Sequence, residues 1–216
     1  MSITDVFPAL GLRITAGPLE LRGLVDDDLA QLADLAERGI HDPTTMPFYF
    51  PWTDAPIDQL ARNTAQYHWR SRADFSPAKW DLNLGVWRDG ELLGTQGVGT
   101  EHFLVTRTGE TGSWLGREHQ GQGVGTAMRQ VMCAFLFDHL GFEEITSGAF
   151  ADNPASLAVS RKVGYRDNGV RRLKRREGEL ATNLGLVLRP EDLVRGEHPL
   201  EVKGVAAFRR SIGLDQ

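Results

Sequence analysis

The stretch Leu115-Gly-Arg-Glu-His-Gln-Gly-Gln-Gly-Val-Gly-Thr126 carries the chain's clearest chemical potential. Glycines at 121, 123 and 125 let the backbone approach a ligand and turn its N–H groups inward. A helix opening directly after them adds about half a positive charge at its N-terminus, so the loop suits phosphate. Three phosphate-loop patterns compete. A Walker loop needs a lysine before the closing Ser/Thr, and Gly125 stands before Thr126. A dinucleotide fingerprint needs G-x-G-x-x-G and an acid after the next strand, whereas Gly121-x-Gly123-x-Gly125 is spaced differently and Glu143-Glu144 precede their strand. What remains is Gln120-x-x-Gly123-x-Gly125. A mere tight turn can look the same, so the loop's weight depends on its surroundings.

Those surroundings are alternating strands and helices. Apolar and polar residues alternate on both sides of Gly17-Pro18, which predicts two short strands over 11–25. Asp26-Asp27-Asp28 offers capping carboxylates for a helix carrying Leu29, Leu32, Leu35 and Ala36 as far as Gly39. Four prolines and the aromatics Phe48, Tyr49, Phe50 and Trp52 make 39–56 an ordered loop. A second helix follows over 57–74, with Leu60, Ala61, Ala65 and Trp69 on one stripe. Asp89-Gly90 predicts a hairpin between 81–88 and 91–98. A further strand is expected to end near Leu104, and another to fill 111–115. Met128, Val131, Met132, Phe135 and Leu136 recur with period 3.6, so 124–140 is a helix, closed by Gly141. A buried strand over 144–150, a short helix over 154–163 closed by Gly164, and a hairpin over 170–188 complete the pattern. The tail after Pro190 shows weak helical pattern only.

A second motif joins the first. Asn153-Pro-Ala-Ser156-Leu-Ala-Val-Ser-Arg-Lys-Val-Gly164-Tyr165 follows the strand at 144–150. The two motifs, in this order and separation, resemble those of the GNAT acyltransferases. Gly112-Ser-Trp-Leu-Gly116 is similar to the branch that includes the ribosomal-protein N-terminal acetyltransferases. The segment from His41 to Thr53 resembles a bacterial subgroup associated with succinyl-CoA.

The resemblance implies an α/β GNAT fold: a mixed, mostly antiparallel sheet splayed at the acyl-CoA site between 111–115 and 144–150, flanked by helices. It assigns residues 1–190 to an acyltransferase domain and 191–216 to a C-terminal extension. The donor would be acetyl-CoA or succinyl-CoA, and the acceptor a primary amine on a protein, peptide or small molecule. Leu115, Gln120, Gly121, Gln122, Gly123, Val124, Gly125, Thr126 and Asn153 are the positions it places against the cofactor. Ser156 becomes the candidate general acid for the departing thiolate, with Tyr165 its rival, and a backbone N–H near Leu115 the oxyanion donor. No metal and no covalent enzyme intermediate are implied, and a homodimer is common in that branch.

Each candidate also has a structural reading. Asn153 before Pro154 is a good N-cap, and Ser156 can bond its own helix backbone. Glu110 is the candidate general base, with Glu101 and His102 nearby, and all three can equally be surface residues. A water chain can do the same work. An α-amine with a pKa of about 7.7 to 8.0 is roughly a tenth neutral at pH 7, far more than lysine near about 10.4. Phe48, Tyr49, Phe50 and Trp52 are either core or the border of the acceptor cleft. Arg171, Arg172, Lys174, Arg175 and Arg176 alternate between two faces of a strand, as a solvated hairpin does, and one of them could instead hold an anionic acyl group.

Composition sets the outer bounds. Hydrophobic residues at 41% and charged residues at 25% are ordinary globular usage. A formal charge of −5 argues against nucleic acid as partner. With Cys133 the single cysteine, no intrachain disulfide can form. The N-terminus lacks a signal-peptide pattern and no apolar run is long enough to span a membrane, so a cytoplasmic location is expected. An acyl-CoA-binding sensor without turnover fits the same motifs.

Overall fold

Nine strands form one sheet in the computed structural model, which describes residues 1–215. In chain order they are β1 Arg13–Ala16, β2 Leu19–Gly23, β3 Lys79–Arg88, β4 Glu91–Glu101, β5 Thr108–Leu115, β6 Glu144–Phe150, β7 Arg166–Arg176, β8 Glu179–Leu188 and β9 Glu201–Lys203. The helices are α1 Ile3–Val6, α2 Asp26–Glu37, α3 Ile57–Ala73, α4 Phe103–Thr106, α5 Val124–Leu140, α6 Pro154–Val163 and α7 Val205–Ser211. The sheet order is β7-β8-β6-β5-β4-β3-β2-β1-β9, and every pairing is antiparallel except that of β5 with β6.

That single parallel pairing is short. Thr108, Gly109 and Glu110 pair with Glu144, Ile145 and Thr146. Beyond them β5 stays on β4 and β6 stays on β8, so the sheet opens between 112–115 and 147–150. The expected splay is therefore present, after the third residue pair.

The two faces of the sheet are covered separately. Leu115 joins the large core beneath α5, while its neighbour Trp114 packs with Leu29, Leu32 and Leu35 of α2 on the opposite face. Eleven of the seventeen residues of α5 are buried, which makes it a central pillar rather than a surface helix. Gly141 closes it in the left-handed conformation at φ 70°, as its position predicts.

Three expectations change. No strand reaches Leu104: β4 ends at Glu101, and His102 and Arg107, both left-handed, bracket the helical turn α4. That turn buries Phe103 against Phe142, with ring centroids 4.4 Å apart. The inner stripe of α3 is Leu60, Thr64 and His68, whereas Trp69 is half exposed and donates from Nε1 to Asp26 at 3.2 Å. The tail does more than carry a weak helical pattern. Its β9 pairs with β1, and α7 buries Phe208 edge-on against Trp80. These are period-two and aromatic contacts too short to stand out in a linear pattern.

Candidate active site

The glycine loop runs from β5 into α5, and its geometry is that of an anion cradle. Gly121 and Gly123 have φ of 73° and 83°, values that side chains resist. A Cβ on either would meet nothing within 4 Å, so both face open space. Thr126 and Ala127 already return their N–H groups to Gly123 O. The N–H groups of Gly121, Gln122, Gly123, Val124 and Gly125 donate to no acceptor among the described residues. Five consecutive free amides at the mouth of a long helix would hold the two phosphates of a diphosphate, where several negative oxygens need several donors.

The side chains of the loop serve to fix it. Gln120 Nε2 donates to Leu115 O at 2.9 Å and Ile40 O at 2.6 Å, strapping the loop to the strand before it and to the segment after α2. Gln122 accepts from Arg88 and donates to Glu118 O. Val124 points into the core. Thr126 lines a cavity of about 590 Å³ on the flank of α5 remote from α6, beside the 195–200 segment.

The gap between β5 and β6 lies next to this cradle. Gly116 N–H bonds Leu93 O, and pairing alternates along β4 and β5. Leu115 and Ser113 therefore turn their N–H groups away from β4, into the gap. On the far rim α6 begins. Asn153 accepts from Ser156 N–H at 3.1 Å through Oδ1, so it is the N-cap, and Ser156 sits partly exposed in the first turn. A strand offering N–H groups on one side and a hydroxyl on the other can polarise a carbonyl and protonate a leaving group between them.

Comparison with known proteins agrees with this geometry. The pattern described as the acetyltransferase (GNAT) domain matches residues 18–166. The chain belongs to the GNAT acetyltransferase family. A Bacillus subtilis relative named as a candidate ribosomal N-acetyltransferase, YdaF, is 31% identical over 94 residues, which are 41% of this chain and 50% of that protein. The chain thus spans about half the length of that curated relative. Mycobacterium smegmatis RimJ, solved with a coenzyme A disulfide, superposes with a TM-score of 0.66 at 20% identity, covering 93% of this chain and 92% of that one. RimL, named as a ribosomal L7/L12 α-N-protein acetyltransferase and solved with coenzyme A, gives 0.63 at 15% identity, covering 81% and 95%. At such identities these two structures show the fold.

The remaining candidates of this GNAT chain are placed less favourably. Tyr165 is 4% exposed, its hydroxyl 2.9 Å from Thr111 Oγ1 and 3.4 Å from Cys133 Sγ. Burial pushes that phenol well above its usual range and raises the Cys133 thiol to about 11. The tyrosine hydroxyl thus belongs to the core beneath the gap, held there by the residues it touches. Glu110 lies exposed on β5, and its side chain leaves the face opposite Thr111 and Tyr165.

Next to the gap, on the face of Trp114, lies a cluster of side chains. Trp114, Trp52, Phe48 and His41 form a run of rings with successive centroids 5.6, 5.4 and 5.6 Å apart. His41 Nε2 lies 2.7 Å from Thr53 Oγ1, and Arg176 of β7 binds both carboxylate oxygens of Asp54, at 2.6 and 2.9 Å. Tyr49 and Phe50 stay exposed at the tip. Arg175 lies over the Phe150 ring and pairs with Asp152 at 2.7 Å. The basic run therefore divides: Arg175 and Arg176 tie down neighbouring segments, while Arg171 and Arg172 stand in solvent.

Sequence reasoning missed Arg129. It is 5% exposed on α5, donates to Ser160 Oγ at 2.7 Å and Ser113 Oγ at 3.1 Å, and forms no ion pair with a carboxylate among the described residues. Its only signal was an arginine inside an apolar helical run.

Proposed function

We propose that this protein transfers an acetyl group from acetyl-CoA directly to a primary amine. The observation that carries the reading is the run of five unpartnered amides, Gly121 to Gly125, beside a strand gap with Leu115 N–H on one rim and Ser156 on the other. The amides would bind the donor's diphosphate, with Gln120 keeping the loop in place. Acyl-CoA would supply the thioester. Leu115 N–H would stabilise the oxyanion formed when the amine attacks, and Ser156 would protonate the thiolate, a role its position favours over that of buried Tyr165.

The acceptor class proposed is a protein or peptide N-terminus. The support is chemical: an α-amine needs less help from a base than lysine does. Acetyl is favoured over succinyl because, of the basic run on β7, Arg175 and Arg176 are already paired with Asp152 and Asp54. The proposal extends to a cytoplasmic location, supported by the sequence pattern, and to a homodimer, supported by the resemblance.

Incubation with acetyl-CoA and a pool of amines and N-terminal peptides, read as free thiol, tests this. Thiol release that requires an amine is expected. Tight acyl-CoA binding with no thiol release over any acceptor would leave the sensor reading instead. A tenfold higher kcat/KM for succinyl-CoA than for acetyl-CoA would reverse the donor choice.

A further inference from the structure

A buried guanidinium with no carboxylate beside it is costly, because two neutral hydroxyls do not replace the water a full charge loses. Arg129 is in that state, and its place in the fold is specific. Nη2 reaches Ser113 on the β5 rim of the gap, and Nη1 reaches Ser160 on α6. Ser160 Oγ in turn donates to Ser156 O at 3.0 Å, so the link runs to the residue on the other rim. The third nitrogen, Nε, is buried and without a partner. Two of its five N–H donors go to hydroxyls, and only 5% of the residue is exposed, so little of the group is open to a ligand. What it can do is hold the two rims together and place an uncompensated positive charge beneath the space between them.

Few other charges face that space. On α5 itself the nearby titratable group is Cys133, and after α6 it is Tyr165, both kept neutral at ordinary pH by burial. From β5 the facing side chains are Thr111, Ser113 and Leu115. Nothing among these groups cancels the field of Arg129.

We propose that Arg129 is a positioning residue that also lowers the pKa of the coenzyme A thiol, making the sulfur a better leaving group. This rests on the acyl transfer proposed above. In that step the amine nitrogen bonds to the thioester carbonyl carbon, the C–S bond breaks and its electron pair goes to sulfur. The amine loses a proton and coenzyme A leaves as thiolate, later taking one proton. Negative charge thus grows on sulfur above a fixed, buried cation. A leaving group stabilised this way needs less proton donation at the moment of cleavage, so Ser156 need not be a strong acid.

The test needs no acceptor. The ultraviolet absorbance of the thiolate is titrated for coenzyme A bound to the whole protein, with desulfo-coenzyme A as the blank that fills the same cradle without sulfur. The thiol is expected to titrate about one pKa unit or more below that of free coenzyme A. In Arg129→Met that shift should be largely lost, and in Arg129→Lys, which keeps the charge, mostly retained. A purely structural tie would alter melting temperature without moving the bound thiol. If bound coenzyme A in the parent titrates at or above the free value, the proposal is overturned, whether or not the variants fold. Equal values in parent and Arg129→Met overturn it as well. Failure of coenzyme A to bind the parent would instead remove the transferase reading, and is seen separately by thermal shift.

Discussion

The two sides of the gap are made of different material. The proposed donor side is backbone: amides from Gly121 to Gly125 at the start of α5, aimed by that helix. The proposed acceptor side is side chains gathered from far apart, with Arg176 meeting Asp54 across 122 positions and Trp114 continuing a row of rings from the 39–56 loop. Backbone donors recognise what every acyl-CoA shares. Side chains can differ from one acceptor to the next, so the common chemistry and the particular chemistry occupy separate parts of the fold.

That contrast can be broken most severely on the donor side. Gly125 has ordinary φ, and a Cβ there would sit 3.6 Å from Val159, so the fold can take a larger residue. Gly125→Val should nevertheless weaken coenzyme A binding by about a hundredfold, since the branched side chain screens the amides the diphosphate needs. Calorimetric titration gives the value. A loss of fivefold or less would mean that the cradle lies elsewhere.

Acid should act away from both sides, on α3, where His68 shares a small cavity with Leu24, Leu82 and Asn83. His68, on the inner stripe of α3, is held down to about 4 from 6.5 by burial, with the Arg72 charge adding to it. The unfolded chain therefore binds a proton that the folded one refuses between about pH 6.5 and 4. Stability from this group is whole above 6.5 and drains as pH falls through that window. The loss from pH 7 to pH 5 should be about 2 kcal/mol, read as a shift in urea midpoint. His68→Gln should flatten the slope between those two pH values, and an unchanged slope would remove His68 as its source.

Ser156→Ala, on the rim shared by both substrates, should lower kcat about tenfold with coenzyme A affinity unchanged, the pattern of a contact made in the transition state. Single-turnover kinetics within about twofold of the parent would reduce Ser156 to a helix-start residue. The least effect is expected from Arg176→Ala. Its ion pair with Asp54 is partly exposed, so stability should fall by about 1 kcal/mol or less. The loosened 39–56 loop should raise acceptor KM a few-fold and leave donor KM alone. A change in donor KM instead would show that the two sides are not separable.

Much of this was legible in the sequence because the signals were local. Helix 124–140, strand 144–150 and helix 154–163 lie where periodicity and capping put them, since apolar spacing, Asn153 and the glycines at 141 and 164 each act within a few residues. The cradle was equally local, its donors being neighbours in the chain. Tyr165 and Glu110 were not legible in the same way. Which side of a strand a residue faces, and how deep it lies, depends on what packs there, and Tyr165 was drawn inward by Thr111 and Cys133 from two other elements.

The sequence by itself determined the glycine loop, the order of the elements and the N-cap that starts α6, because each needs only near neighbours and the intrinsic preferences of Gly, Pro and Asn. Only the tertiary structure decided that β5 and β6 part after three pairs, that the tail closes the sheet with β9, and that Arg129 spans two serines under the gap. Those outcomes follow from contacts between segments far apart in the chain, and from the cost of leaving a charge or a sheet edge without partners.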